Sequence, residues 1–411
     1  MPPGSTDERW RHGLLLLSTA AGIRAFCIGL TGVLLGLYLA RQDFTAGQVG
    51  LVIGSGLAGN ALATAWLAWV APGFDRRATL LVCTALSALG LIGVAHVSAP
   101  LALAVVAFVG LVNGMGRDRG PAQVIEQSLL SDRLPVSDGA RVMARYTASQ
   151  DVCAGLGSLA AGLPDLLPGD PSETSRLLFA AAGLCSLLPF AIYTWLVPAA
   201  SGRESIQTQV GTMDPATRRR VRGLTGLFAL DSLGGGFLAG SILSYWFFKR
   251  FGLSGEVVGP LFLVARGLNA LSYFAAAALA RRLGLVRTMV FTHLPSSAFL
   301  LVLPWAPSAA VAMLLFLARE ALVQMDVPAR QAFVALVTRP GERVYAFGAT
   351  GLARNIGWAV GPGLAGWSAQ ALGLGAPLVI GAGLKMMYDL LLYRSFVRGP
   401  AAPGSTRRLE E

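Results

Sequence analysis

Twelve mostly apolar stretches run through the chain with short polar breaks between them. Their limits are about 13–40, 46–71, 78–97, 100–125, 141–164, 175–197, 222–248, 256–280, 286–304, 309–331, 343–369 and 376–397. Roughly 20 apolar residues in helical form cross the hydrocarbon of a bilayer, so each stretch predicts one spanning helix. The first is too long for a secretory leader and lacks a small-x-small cleavage site, so it reads as a retained span. The longest polar interruption, residues 199–222, is rich in Gly, Ser, Thr, Gln and Arg and lies at the midpoint. The pattern divides the chain into an N-terminal bundle (1–198), a central loop (199–222), a C-terminal bundle (223–398) and a polar tail (399–411).

One stretch organises the rest. Over Arg319–Gly366 an apolar helix carries Arg319, Glu320 and Asp326 into a polar bend at Thr338–Arg343. A second helix then carries Arg354 and Asn355 into a glycine-rich end. The same plan occurs over Gly116–Pro164, with Arg117, Asp118 and Arg119, a bend at Asp132–Arg141, and a helix with Asp151 that ends at Gly155, Gly157 and Gly162. Pro121-Ala122 recurs as Pro328-Ala329, 207 positions on, and Gly47-Gln48-Val49 as Gly255-Glu256-Val257, 208 positions on. Two separate places give one period, about half the chain, so the sequence is a tandem repeat of two large halves.

Composition agrees with a membrane setting. Hydrophobic residues make up 54% of the chain and charged residues 13%, with a mean hydropathy of +0.60. Soluble domains carry about 25% charged residues. The net charge of +11 comes from 33 basic residues, 31 of them Arg, set between the apolar runs. That distribution is a positive-inside bias, not a nucleic-acid surface. With the N-terminus in the cytoplasm, twenty arginines collect on the inner side, against Arg41, Arg176, Lys249 and Arg250 on the outer. Both termini are therefore expected in the cytoplasm. Cys27, Cys83, Cys153 and Cys185 each lie alone in an apolar run and read as small core residues. His12, His96 and His293 are far apart, two of them near expected helix ends, and suggest no metal site. Glycines four apart (Gly50/Gly54, Gly110/Gly114, Gly236/Gly240, Gly357/Gly361) suit close packing of membrane helices.

Twelve spans in two halves, with a central cytoplasmic loop, resemble the major facilitator superfamily over about residues 10–398. Gly73-Phe74-Asp75-Arg76-Arg77 is similar to that family's short cytoplasmic loop motif, with the later glycine missing. Gly357-Trp358-Ala359-Val360-Gly361-Pro362-Gly363 resembles its glycine-proline motif. In the family that motif marks antiporters in the fifth span, whereas here it lies in the eleventh. The arginine that many proton-coupled members carry midway along the fourth span is absent, since Gly110–Gly114 reads GLVNG. The resemblance implies an all-α membrane protein of twelve transmembrane helices in two pseudo-symmetric six-helix bundles. It also implies alternating access, with the first, fourth, seventh and tenth spans lining a central cavity.

Charges inside the membrane are costly and tend to face a cavity or a partner. On the cavity-lining spans they make Arg24, Asn113, Arg117, Asp231, Arg319 and Gln324 candidate solute ligands, joined by Arg266 and Asn269 on the eighth. Glu320, Asp231 and Asp151 are candidate proton carriers, because a carboxylate's proton affinity rises when it is desolvated and falls beside an arginine. One expectation joins Arg24, Asp231 and Glu320 in a shared triad. Asp75, Arg76, Arg77, Arg141, Arg343 and Arg354 are candidate gating residues, with Asp75 or its neighbours reaching Arg141 or Arg343. Lys385 and Asp389 are expected to neutralise one another, as are Asp326 and Arg330, four apart. Arg24, Arg117 and Arg319 favour an anionic solute, and Tyr38, Tyr245, Trp246 and Tyr273 equally suit an amphiphilic one.

The reading is a secondary transporter, a proton-coupled exporter of a drug-like or metabolite compound in the inner (plasma) membrane. The alternatives are a uniporter or symporter of an organic anion and, from another class, a non-transporting receptor or scaffold. No nucleophile–base set at reactive spacing supports an intramembrane enzyme. No cofactor or metal is expected. The partners are the solute, protons and the lipid bilayer, with no nucleic acid and a monomeric state.

Overall fold

The computed structural model describes residues 4–69, 75–117, 120–131, 136–196, 215–338 and 342–396. Asp118, Arg119, Gly73, Phe74, most of the central loop and the tail lie outside them, as do the side chains of Arg141 and Arg343. The first three runs are single helices, α1 (Gly4–Arg41), α2 (Ala46–Trp69) and α3 (Arg76–His96). The fourth is split into α4 (Pro100–Val109) and α5 (Pro121–Ser131). The fifth holds α6 (Val136–Ala160) with the short α7 (Leu163–Leu166), and the sixth α8 (Pro171–Cys185) and α9 (Leu187–Leu196). The seventh is α10 (Pro215–Gly236) and α11 (Gly240–Phe251), the eighth α12 (Gly255–Leu283) and the ninth α13 (Leu285–Val302), which ends in a 3-10 turn. The tenth is again split, into α14 (Ala309–Val323) and α15 (Asp326–Val337), before α16 (Arg343–Leu372) and α17 (Ala376–Phe396). Helix α10 starts at Pro215, inside the interval read as linker.

Among the described residues, eight helical spans are long and apolar enough to cross a membrane. The runs that fall short are the fourth, fifth, tenth and eleventh, which the repeat relates as two pairs. The fourth and tenth are interrupted midway. The fifth and eleventh, α6 and α16, are continuous but rich in glycine and polar residues.

Packing gives two compact units. Unit 1 holds residues 1–206 with 238–266 and 362–374, so parts of the second half of the sequence are built into the first. Unit 2 holds 207–237, 267–361 and 375–411. In unit 1, α1 lies along α6 and also along α11. Leu17, Ala21, Leu80, Ile125, Tyr146 and Tyr193 form a buried apolar cluster there. In unit 2, α13 packs along α17, α14 and α15, and α10 along α17. Its cluster centres on Phe228, Met289, Phe333, Tyr388 and Leu392.

Small residues set the closest approaches. A Cβ on Gly50 would stand 2.3 Å from the Pro362 carbonyl oxygen and 2.8 Å from Gly366 Cα. No side chain fits between those backbones. The cysteines divide: Cys27 and Cys83 are buried as expected, but Cys185 is exposed, because it ends α8 on that helix's outward side. Gly50→Ala is expected to cost about 1–3 kcal/mol by overpacking. Gly383→Ala, with nothing within 4 Å of the added carbon, is expected to be near neutral. Thermal unfolding of the two purified variants checks the contrast.

Candidate functional site

An α-helix satisfies its own backbone, so a break inside an apolar run frees carbonyls that need new donors. The break between α4 and α5 passes through Leu111, a non-glycine residue at φ 50°, and Gly116 at φ 75°. Five of its carbonyls have identified donors. Asn60 Nδ2 donates to Leu111 O at 2.8 Å. Ser241 N–H donates to Gly114 O at 3.0 Å and Gly240 N–H to Met115 O at 3.3 Å, so the first amides of α11 serve the broken helix. Arg266 donates to Gly116 O and Asn113 Nδ2 to Arg117 O at 2.8 Å, while Asn113 Oδ1 accepts from Met115 N–H. Asn113 and Arg266 thus hold backbone in this structure. Arg266, a candidate solute ligand by sequence, here ties α12 to the break.

The same face of unit 1 is closed by further polar contacts. The Ser241 hydroxyl donates to Thr31 O and Gly32 O, and the Ser244 hydroxyl to Val33 O at 2.8 Å. Tyr245 OH donates to Phe44 O at 3.1 Å. At one end Asp165 takes Arg41 Nη2 at 2.6 Å and the Gly255 N–H, at the start of α12, at 2.7 Å. Arg41 also lies over the Phe248 ring. Sequence reading missed Asp165, whose one signal was a carboxylate just after the fifth run, next to a proline.

Buried charges form two separate clusters. In unit 1 the fully buried carboxylate of Glu126 receives Arg24 through both oxygens, at 2.8 and 2.6 Å, and the hydroxyls of Tyr146 and Tyr193. Four donors thus meet on one carboxylate. Glu126 was overlooked because it sits in the polar segment after Gly120, where a glutamate is unremarkable. A small cavity of about 60 Å³ touches Arg24, Asn60, Thr84 and Asn113. Drug-sized sites run to several hundred Å³, so this one is too small for such a solute.

In unit 2, Asp231 on α10 accepts from Lys385 Nζ at 2.8 Å and from Arg330 Nη1 at 3.0 Å. Arg330 also pairs with Asp326 at 2.9 Å, four residues back, as its spacing predicted. His293 Nδ1 lies 3.0 Å from both carboxylate oxygens of Asp389, and its Nε2 lies 3.4 Å from Lys385 Nζ. Nearby, Arg319 pairs with Glu320, which also accepts from Asn269 Nδ2 at 2.9 Å.

Two expectations are corrected. Arg24, Asp231 and Glu320 form no triad, because each has its partners inside its own unit: Glu126, then Lys385 with Arg330, then Arg319 with Asn269. Lys385 and Asp389 do not neutralise one another, since α17 is packed against both α10 and α13 and each charge finds a nearer partner there. His293 sits inside α13 and is 2% exposed.

The remaining candidates are placed as follows. Asp75 caps α3 by accepting from Arg77 N–H at 2.9 Å, with Arg76 and Arg77 in the first turn. Gln324 closes α14 at the second break. Arg117, Asp151, Gln324 and Arg354 are half-buried. The Arg354 guanidinium lies 4.7 Å from the Trp358 ring centre, and its Nε has no hydrogen-bond partner among the described residues.

Discontinuous spans, buried ion pairs and small-residue helix contacts define a multi-pass helical membrane protein of carrier type. The sequence profile of the Major Facilitator Superfamily matches residues 17–325, and the chain belongs to that family. It is a membrane transporter of a small solute and not an enzyme. An uncharacterised membrane protein of Saccharomyces cerevisiae is 23% identical over 418 residues, covering 93% of each chain. The crystal structure of the nucleoside transporter NupG is similar at TM-score 0.73 and 13% identity, covering 92% of this chain and 98% of that one. The xylose transporter XylE from E. coli, partially occluded and inward open, gives TM-score 0.69 at 13% identity, with 95% and 99% covered. A bacterial homologue of the human lysosomal transporter Spinster, inward-facing and unoccupied, gives 0.72 at 16%, with 97% and 100% covered.

Removing one partner of a buried ion pair costs about 3–5 kcal/mol, because the other charge stays buried. Arg24→Ala is therefore expected to destabilise by that amount, and Glu126→Gln added to it is expected to restore part of the loss. Thermal unfolding of both variants in detergent measures this.

Proposed function

We propose that this protein is a secondary transporter working by alternating access, a proton-coupled exporter of a polar or amphiphilic small solute. The observation that carries the reading is the closure of one face of unit 1. Ser241, Ser244, Tyr245, Gly240 and Arg266 meet the backbone of α1, of the α1–α2 connection at Phe44 and of the α4–α5 break through hydrogen bonds. Such contacts release and re-form more readily than an interlocked apolar core. Under the positive-inside orientation, with both termini in the cytoplasm of a plasma membrane, this face is the outer one. Asp165 then serves as its latch, binding Arg41 and the amide at the start of α12. Asp75, Arg76 and Arg77 act at the inner face with Arg141 and Arg343.

For solute binding, Arg354, Gln324 and Arg117 are the strongest of the proposed ligands, since each is half-buried. Arg354 has an unmet buried donor and stacks on Trp358, which suits an anionic or aromatic group. Arg24, Asn113, Arg266 and Asn269 act as scaffold for those ligands. Of the proton-carrier candidates Asp231, Glu320 and Asp151, the first two are paired with cations, and the coupling runs through the charge cluster to which Asp231 belongs.

The test is flux in proteoliposomes loaded in turn with labelled uridine, D-xylose, succinate and tetraphenylphosphonium, with and without an imposed pH gradient. Saturable movement of at least one, driven by the gradient, is the expected outcome. No movement of any of a broadened panel would favour a receptor or scaffold. Asp165→Ala is expected to raise labelling of cysteines placed at the outer ends of α1 and α11 several-fold. Unchanged labelling would remove Asp165 as a latch. Asp75→Asn keeps the helix cap, which asparagine supplies as well, so any change in inner-face labelling reports its charge alone.

A further inference from the structure

Resting on the proton-coupled reading, we infer that the pair His293–Asp389 is the proton-binding site of this protein, and that it acts on α10 through Lys385. The argument starts from how each buried carboxylate is matched. Glu126 and Asp231 are held by fixed cations, as is Asp326, and Glu320 by Arg319 and Asn269. Asp389 is 0% exposed, and its hydrogen-bond partner among the described residues is the His293 imidazole. An imidazole exchanges its proton near neutral pH, whereas a guanidinium does not.

The surroundings fix the resting form. From α17, His293 faces Asp389, Lys385 and the edge of the Tyr388 ring. From α10 it faces Asp231, 3.7 Å from Nε2. Helix α15, packed on α13, brings Arg330 and Asp326, and Arg354 from α16 lies within Coulombic range of both Asp231 and Asp326. Helix α14 brings Arg319 and Glu320, already paired. Three carboxylates (Asp231, Asp326, Asp389) thus stand against three fixed cations (Arg330, Lys385, Arg354), and the cluster is neutral when His293 is neutral. With an ammonium at 3.4 Å, Nε2 accepts, so the resting proton sits on Nδ1 and is donated to Asp389.

Adding one proton at Nε2 changes this geometry. The new N–H faces the Lys385 ammonium and competes with it for Asp231 Oδ1, which Lys385 holds at 2.8 Å. The tie between α17 and α10 loosens, while Asp389 balances the charge on the ring. The proton is taken from water on one side and returned on the other, and no other bond changes.

The full-length protein, labelled with 15N-histidine and held in lipid nanodiscs, tests the site without any solute. His12→Gln and His96→Gln assign the His293 ring signals by elimination. The expected result is that His293 titrates between pH 5 and 9, and that Asp389→Asn moves its midpoint by more than about one unit. A ring that keeps one protonation state over that range overturns the proposal. Proteoliposome flux under a pH gradient, with the solute found to move among uridine, D-xylose, succinate and tetraphenylphosphonium, separates the two readings. If wild type ignores the gradient, proton coupling itself is wrong. If wild type is driven and both His293→Asn and His293→Gln are driven equally well, only the assignment to His293 falls.

Discussion

A carbonyl released inside an apolar span must find a donor, because no water is there to supply one. The rest of unit 1 follows from how the break at Leu111–Arg117 meets that demand. Two of its carbonyls are served locally, by Asn60 and Asn113. The other three are served by the amides of Gly240 and Ser241 and by Arg266, all from the second half of the chain. The break therefore ties residues 238–266 into the unit built mainly from residues 1–206. Hydrogen bonds to carbonyls are individually worth only about 0.5–1.5 kcal/mol net in water. Held in a set they close a face of unit 1.

The same economy governs charge. Among the described buried ion pairs the two units have opposite polarity. In the first half the first run carries the cation, Arg24, and the fourth the anion, Glu126. In the second half the seventh run carries the anion, Asp231, and the tenth the cation, Arg330. Buried tyrosines stand at both places, Tyr146 and Tyr193 in one and Tyr388 in the other. They differ in one respect that matters. Glu126 is saturated by a guanidinium and two phenols, a rigid arrangement. The second cluster adds the contact of His293 with Asp389.

Depth in the membrane does not tell how a buried charge is partnered. Arg24, Asp231 and Glu320 group together in the sequence because each is a charge on a cavity-lining span that is costly to bury alone. Depth measures the cost of an unpaired charge but not which partner offsets it. Those partners came from positions with no sequence signal of their own: a glutamate past a broken helix, a lysine on a peripheral span and a histidine in the middle of one.

The sequence by itself determined the class of protein, the helical spans and the internal repeat. Hydrophobic run length is set by bilayer thickness, and the recurrence at 207 positions needs no structure to be seen. It also determined local pairs such as Asp326–Arg330, because four residues make one helical turn. Tertiary structure decided the rest. The interruptions at Leu111–Arg117 and Gln324–Met325 carry no proline, so only packing reveals them. Lys385 chose Asp231 over the closer-in-sequence Asp389, because in an apolar interior an ion takes the partner that neighbouring helices place within hydrogen-bond reach.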